Sequence, residues 1–209
     1  MKVYLVANPK GGAGKSTVAT NLAGMLAHRG WRDGSTRVML GDVDRQQSSR
    51  YWLERRPSSA APITNWEIAP GQPAKPPRST THVVLDTPAG LHGDKLKSLL
   101  KQSDYVLVPV QPSMFDLLAT RAFFNELAEL KAARGVDVGI VGVRVDERTR
   151  AAEQFHRFIE STGLPLVTCL RDTQVYVQLA AHGLTVFDVA AHRVEKDRAQ
   201  WAAIDEALV

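Results

Sequence analysis

The chain has 209 residues, 44% of them hydrophobic and 23% charged, a composition that excludes both wholesale disorder and a membrane-embedded class. That length supports one well-buried core but not two comfortable domains, so a single α/β domain over 1–209 is the expectation. The net charge of +4 favours contact with a polyanion, without the charge density of a nucleic-acid-binding tail. A lone cysteine, Cys169, rules out an intrachain disulfide and any Cys-rich zinc or iron–sulfur site within one chain, and reads as a small core residue. With no run of about 20 apolar residues and no charged-then-apolar signal pattern after Met1, a cytoplasmic protein without stable membrane insertion is expected.

Lys2 to Asn8 (KVYLVAN) is β-branched and aromatic-rich, stops at Pro9, and is followed by glycines and then a helical pattern, so the order is strand, loop, helix. The helix is predicted over Lys15 to Arg29, because Val18, Leu22, Met25 and Leu26 recur at helical spacing and Gly30 supplies a stop. Short apolar runs follow at Arg37–Gly41, His82–Leu85, Tyr105–Val110 and Val136–Val145. Between most of them lie helix-length segments: Gly93–Gln102, Met114–Ala133, Thr149–Ser161 and Thr173–Ala181, with a closing helix over Val194–Leu208. Strand and helix alternating in this way predict βαβ units and a mostly parallel sheet flanked by helices. Six of the eleven prolines fall between Pro57 and Pro77, so 57–81 is predicted to be a surface excursion with at most one strand around Ile63 to Ile68.

The strongest chemical signal is Pro9-Lys10-Gly11-Gly12-Ala13-Gly14-Lys15-Ser16-Thr17, between the first strand and the first helix. Glycines let successive backbone N–H groups converge on phosphate oxygens, and the following helix adds the positive end of its dipole. Lys15 then supplies charge for the β- and γ-phosphates, Ser16 a hydroxyl ligand for Mg²⁺, and Thr17 a hydrogen bond to the α-phosphate. Proline at position 9 breaks the strict Walker pattern, and the local form is K-G-G-x-G-K-[ST]. Two carboxylate segments accompany it, Asp42 and Asp44 in LGDVDRQQS and Asp86 in VVLDTPAG. Carboxylates at the C-terminal ends of parallel strands face the ligand crevice of an open α/β sheet, although a strand-end aspartate also serves as an ordinary cap.

With its extra lysine, this loop resembles the deviant Walker A box of the ParA/MinD ATPases, closest to the short ParA-type (ParF-like) partition proteins, and the resemblance covers nearly the whole chain. It implies a P-loop fold, ATP/ADP and Mg²⁺ as cofactors, nucleotide contacts from Lys10 through Thr17, and weak ATP hydrolysis as a dimerisation switch. Within it, Lys10 would reach the nucleotide of a partner copy, Asp44 would position the attacking water, and Asp42, Asp86 and Ser16 would serve Mg²⁺. Arg45 stands where the family usually has proline, consistent either with altered loop rigidity or with an added basic contact. Gly142-Val143-Arg144-Val145-Asp146 resembles the strand whose end meets adenine, which implicates Arg144, and Leu164 to Phe187 resembles the tail of small partition ATPases.

The first strand begins at Lys2, which on this reading leaves no room for the helix-turn-helix domain of larger relatives and makes operator-specific repression unexpected. The resemblance implies instead an ATP homodimer that binds DNA non-specifically on the nucleoid and is released when a ParB-like or other adaptor stimulates hydrolysis. Arg171, Arg193, Lys196 and Arg198 are the candidate phosphate contacts, and each reads equally well as solvated surface charge. The rival is a MinD-like membrane-positioning ATPase, which needs an amphipathic C-terminal helix; the stripe Val194, Trp201, Ile204 and Leu208 reads rather as core-docking. A further alternative is a ParA-like ATPase that positions a protein assembly. The six histidines show no metal-ligand spacing and are read as structural or solvent-exposed.

Overall fold

A computed structural model describes residues 1–44, 46–67 and 76–208, with the side chains of 130–134 set aside. The chain runs β1 (Lys2–Val6), α1 (Lys15–Arg29), β2 (Val38–Asp42), α2 (Ser48–Glu54), β3 (Ile63–Trp66), β4 (His82–Asp86), α3 (Gly93–Leu100) and β5 (Tyr105–Val110). It continues with α4 (Met114–Arg134), β6 (Asp137–Val145), α5 (Arg150–Glu160), β7 (Leu166–Arg171), α6 (Val175–Ala180) and α7 (Glu195–Ala207). The strands form one seven-stranded sheet in the order β3-β2-β4-β1-β5-β6-β7, and every pairing is parallel. Mostly parallel was the expectation; wholly parallel is the result, since each strand is reached by a helical crossover or a long connection.

Alternation along the strands divides the core in two. In β1, Val3 and Leu5 join one cluster while Tyr4 and Val6 join the other, as a period of two requires of a strand covered on both faces. The first cluster packs α3, α4 and α5 through Leu96, Leu100, Phe124, Leu127, Phe155 and Ile159; the second packs α1, α2 and α7 through Val18, Leu22, Trp52, Trp201 and Ile204. Val194, Trp201, Ile204 and Leu208 are all buried, so the C-terminal stripe is spent in the core.

Two elements were not anticipated. α2 has only Ser49 and Trp52 buried, too few positions to show a helical period, and β7 lies at the sheet edge behind Pro165. The strand expected at Ile63–Ile68 is realised over Ile63–Trp66, with Ile68 outside the described residues, as is Arg45.

β1 sits between β4 and β5, so chain connections leave it toward opposite edges of the sheet. The loop after β1 therefore opens on a topological switch point, where open parallel sheets leave a crevice for ligand.

Candidate nucleotide site

The loop between β1 and α1 is held from three directions. Asn8 donates its side-chain amide to the Pro109 carbonyl (2.8 Å) and accepts the Lys10 N–H (2.8 Å), tying the loop entrance to β5. Gln111 donates to the Gly12 carbonyl (2.7 Å), and the Gly90 N–H reaches the Pro9 carbonyl (2.8 Å) from the segment after β4. Gly12 and Gly14 have φ of +77° and +90°, a left-handed backbone that side chains strain. A Cβ at Gly14 would also lie 3.0 Å from Val143 Cγ1, so β6 packs directly against the turn.

Lys15 opens α1 and is buried, with its ammonium turned back onto the Lys10 carbonyl at 2.9 Å. Burial lowers its pKa, and the carboxylates of Asp86 and Asp44 oppose that fall. The cation is thus desolvated and aimed into its own loop, where its natural counter-charge is an anion cradled by the glycines. Lys10, half-buried, supplies the carbonyl that Lys15 engages.

Asp86 ends β4 and is only 1% exposed. One carboxylate oxygen accepts the Ser49 hydroxyl at 2.5 Å, whereas the other, Oδ1, is buried without a hydrogen-bond partner. Burial pushes the carboxyl up to about 6, against the neighbouring hydroxyls of Ser16 and Ser49 that lower it. An orphaned buried carboxylate oxygen beside the Ser16 hydroxyl is the donor set a hard divalent cation takes, so these residues fit Mg²⁺.

Asp42 lies beside Asp86 in the β2–β4 register, but its oxygens are engaged. Oδ1 accepts the Asp44 N–H (2.9 Å) and Oδ2 the N–H groups of Ser49 (2.8 Å) and Arg50 (3.4 Å). This carboxylate caps α2 from a distance, so the alternative cap reading of a strand-end aspartate applies to Asp42; burial still raises its pKa. Asp44, half-buried, accepts the Gln46 N–H (3.0 Å) on the rim of the same crevice.

Arg144 lies at the end of β6, next to the Val143 that packs against Gly14. The β6–β7 register is irregular between Val143 and Val145, and Arg144 has φ +57° with an exposed side chain, so a bulge turns it outward.

The four candidate DNA contacts divide into two pairs. Arg171 forks onto Asp197, with Nε–Oδ1 and Nη2–Oδ2 both 2.9 Å, and Asp197 is fully buried, so this arginine clamps β7 to α7. Arg198 donates to the carbonyls of Val186 (3.1 Å), Phe187 (2.7 Å) and Val189 (3.3 Å) and stacks over the Phe187 ring. Both guanidiniums have internal acceptors, while the Arg171 side chain keeps 38% of its surface exposed. Arg193 and Lys196 are exposed.

Sequence reasoning passed over Ser49, which bonds Asp86, because no motif marks it. It also passed over Asp188, a buried acceptor for His28, Arg56 and Thr185, two of which lie far away in the chain and the third three residues back. No described helix is long and apolar enough to cross a membrane.

The chain is similar to the "Maintenance of carboxysome distribution protein A" of Halothiobacillus neapolitanus, 28% identical over 200 residues covering 89% of this chain and 87% of that protein. It is also 28% identical over 184 residues to the chromosome-partitioning ATPase Soj of Thermus thermophilus, covering 71% and 72% of the two chains. Among solved structures, apo McdA from Cyanothece superposes with a TM-score of 0.79 at 14% identity over the full length of both chains, a likeness of fold. The model of the CobQ/CobB/MinD/ParA nucleotide-binding domain matches residues 4–186, which carry the glycine loop, Asp86 and the sheet around them, and the chain belongs to that family.

Proposed function

We propose that this chain is a Mg-ATP-dependent ATPase that dimerises on ATP and positions a cargo, the cargo being a protein assembly. The observation that carries the nucleotide part is the unpartnered Oδ1 of Asp86 facing a loop into which Lys15 is folded. The choice of cargo rests on the carboxysome-distribution relative, matched over most of both chains. Plasmid or chromosome partition is the second reading, supported by the likeness to Soj. A MinD-like membrane role has less support, since the apolar stripe of α7 is buried.

Bound Mg-ATP would supply the phosphoryl group and the cation that draws charge from it. The backbone N–H groups from Gly11 to Thr17 would hold the phosphates in place, with Lys15 neutralising charge that grows in the transition state. Ser16 and Asp86 would hold the cation, with Asp42 behind them fixing the loop that carries Asp44. The Asp44 carboxylate would orient the attacking water. Lys10, from a second copy, would complete the pocket, which makes dimerisation report the nucleotide state. The ATP dimer would bind DNA without sequence preference through exposed cations such as Arg193 and Lys196, and an adaptor would stimulate hydrolysis and release.

Light scattering with and without Mg-ATP tests the switch. Wild type should shift from monomer to dimer, Asp44→Ala should remain dimeric with hydrolysis largely lost, and Lys10→Ala should bind nucleotide as a monomer. ATP-driven dimers of Lys10→Ala would contradict the contribution of the second copy.

A further inference from the structure

On the far side of β6 from the glycine loop, three side chains from separate segments converge. Glu147 lies in the loop after β6, His156 on α5 and Cys169 on β7, and one potential ligand atom from each falls within 4.8 Å of the other two. His156 Nε2 is 2.8 Å from Glu147 Oε2, and the Cys169 thiol lies beside the same carboxylate. Gly142, opposite Cys169 in the β6–β7 register, makes this possible: a Cβ there would sit 2.8 Å from Cys169 Sγ. The Phe155 ring, 5.5 Å from the imidazole and nearly perpendicular to it, limits how His156 can turn.

We propose that Glu147, His156 and Cys169 form a binding site for a divalent transition-metal ion of the zinc type, separate from the Mg²⁺ expected at the phosphate loop. Tetrahedral zinc bonds of about 2.0–2.3 Å put neighbouring ligand atoms about 3.3–3.8 Å apart, so small side-chain rotations bring all three atoms onto one ion. A thiolate with an imidazole selects zinc or cobalt over magnesium and calcium, which prefer oxygen alone. Three protein ligands leave a fourth position for water, the arrangement of an open site. The site is reachable, since the His156 and Glu147 side chains are 37% and 57% exposed. On binding, the metal replaces the thiol proton, which leaves to solvent, and the His156–Glu147 hydrogen bond gives way to metal–ligand bonds. The ion would then tie together the loop after β6, the middle of α5 and the edge strand β7.

The sole cysteine makes the test clean. Reduced, untagged full-length chain is freed of metal and titrated with Co²⁺, with tetrahedral d–d bands and a thiolate-to-cobalt charge-transfer band as the readout, and Zn²⁺ is then added in competition. One equivalent of Co²⁺ should develop both features, and Zn²⁺ should erase them. Cys169→Ser should lose the charge-transfer band, and His156→Gln, which leaves the sulfur in place, should bind at least about tenfold more weakly. Circular dichroism of each variant establishes that it is folded. No charge-transfer band in wild type overturns the proposal, as does cobalt bound equally by wild type and Cys169→Ser, which would mean an adventitious ion only.

Discussion

Asp188→Asn isolates the buried anchor between the C-terminal segment, α1 and the end of α2. The wild-type carboxylate, 2% exposed at its side chain, accepts from His28 Nε2 (2.9 Å), Arg56 Nη1 (2.9 Å) and Nη2 (2.8 Å), and the Thr185 N–H (2.8 Å) and hydroxyl (2.6 Å). Asparagine keeps the shape but offers one acceptor oxygen, so its amide faces either the guanidinium or the Thr185 donors, and the Arg56 cation, 5% exposed, loses its counter-charge. Breaking a buried pair costs about 3–5 kcal/mol. Arg56 retains the carbonyls of Ala61 and Gly183, which puts the loss near the lower end. About 3 kcal/mol is a large share of a typical 5–15 kcal/mol and lowers Tm by roughly 6–12 °C in a chain of this size.

Urea unfolding followed by tryptophan fluorescence at pH 7.5 measures this difference. Burial alone would raise the Asp188 pKa, but His28, Arg56 and Thr185 outweigh it and hold the carboxyl well below the usual range. Its stabilisation is therefore present above an unfolded pKa of about 3.9 and is lost as pH falls toward the depressed folded value. Wild type should lose stability steeply below about pH 4, and the variant less steeply. A variant within about 0.5 kcal/mol of wild type at pH 7.5 would refute the reasoning, because that is the scale of an ordinary surface substitution.

Asp86→Asn should act in the opposite direction. A carboxyl raised to about 6 binds more protons folded than unfolded, so it subtracts stability as pH climbs from about 4 to 6; the amide should raise the nucleotide-free Tm at pH 7.5 while weakening magnesium-dependent nucleotide affinity in calorimetry. Arg171→Ala leaves the buried Asp197 carboxylate unpaired and should cost about 2–4 kcal/mol in urea melts, with Arg171→Lys recovering little because it cannot match the two-pronged contact. Gly14→Ala, strained at φ +90° and pressed toward Val143, should abolish binding of a fluorescent ATP analogue in equilibrium titration with the far-UV spectrum unchanged.

The nucleotide loop was legible because its signals are local. Glycines, a lysine at fixed offset and a helix with apolar residues three and four apart all act within a few residues, and α1 spans Lys15–Arg29 as the spacing predicts. The strand-end aspartates were legible too, since alternation sets where β2 and β4 stop. Their division of labour was not: Asp42 spends its oxygens on backbone N–H groups seven and eight residues ahead, and that long-range cap stabilises α2, a helix too short to announce itself.

From its sequence alone, the chain declared strand, loop and helix in order, a parallel sheet and a phosphate-binding turn, because periodicity and backbone freedom are properties of neighbouring residues. Tertiary structure decided which charges were already spent. Arg171 and Arg198 look like Arg193 in a linear chain, and only the packing of α7 on β7 and of Phe187 beside it gives the first two internal partners. It also brought Glu147, His156 and Cys169 together, since atoms on three elements meet only when parallel pairing sets the register of β6 against β7.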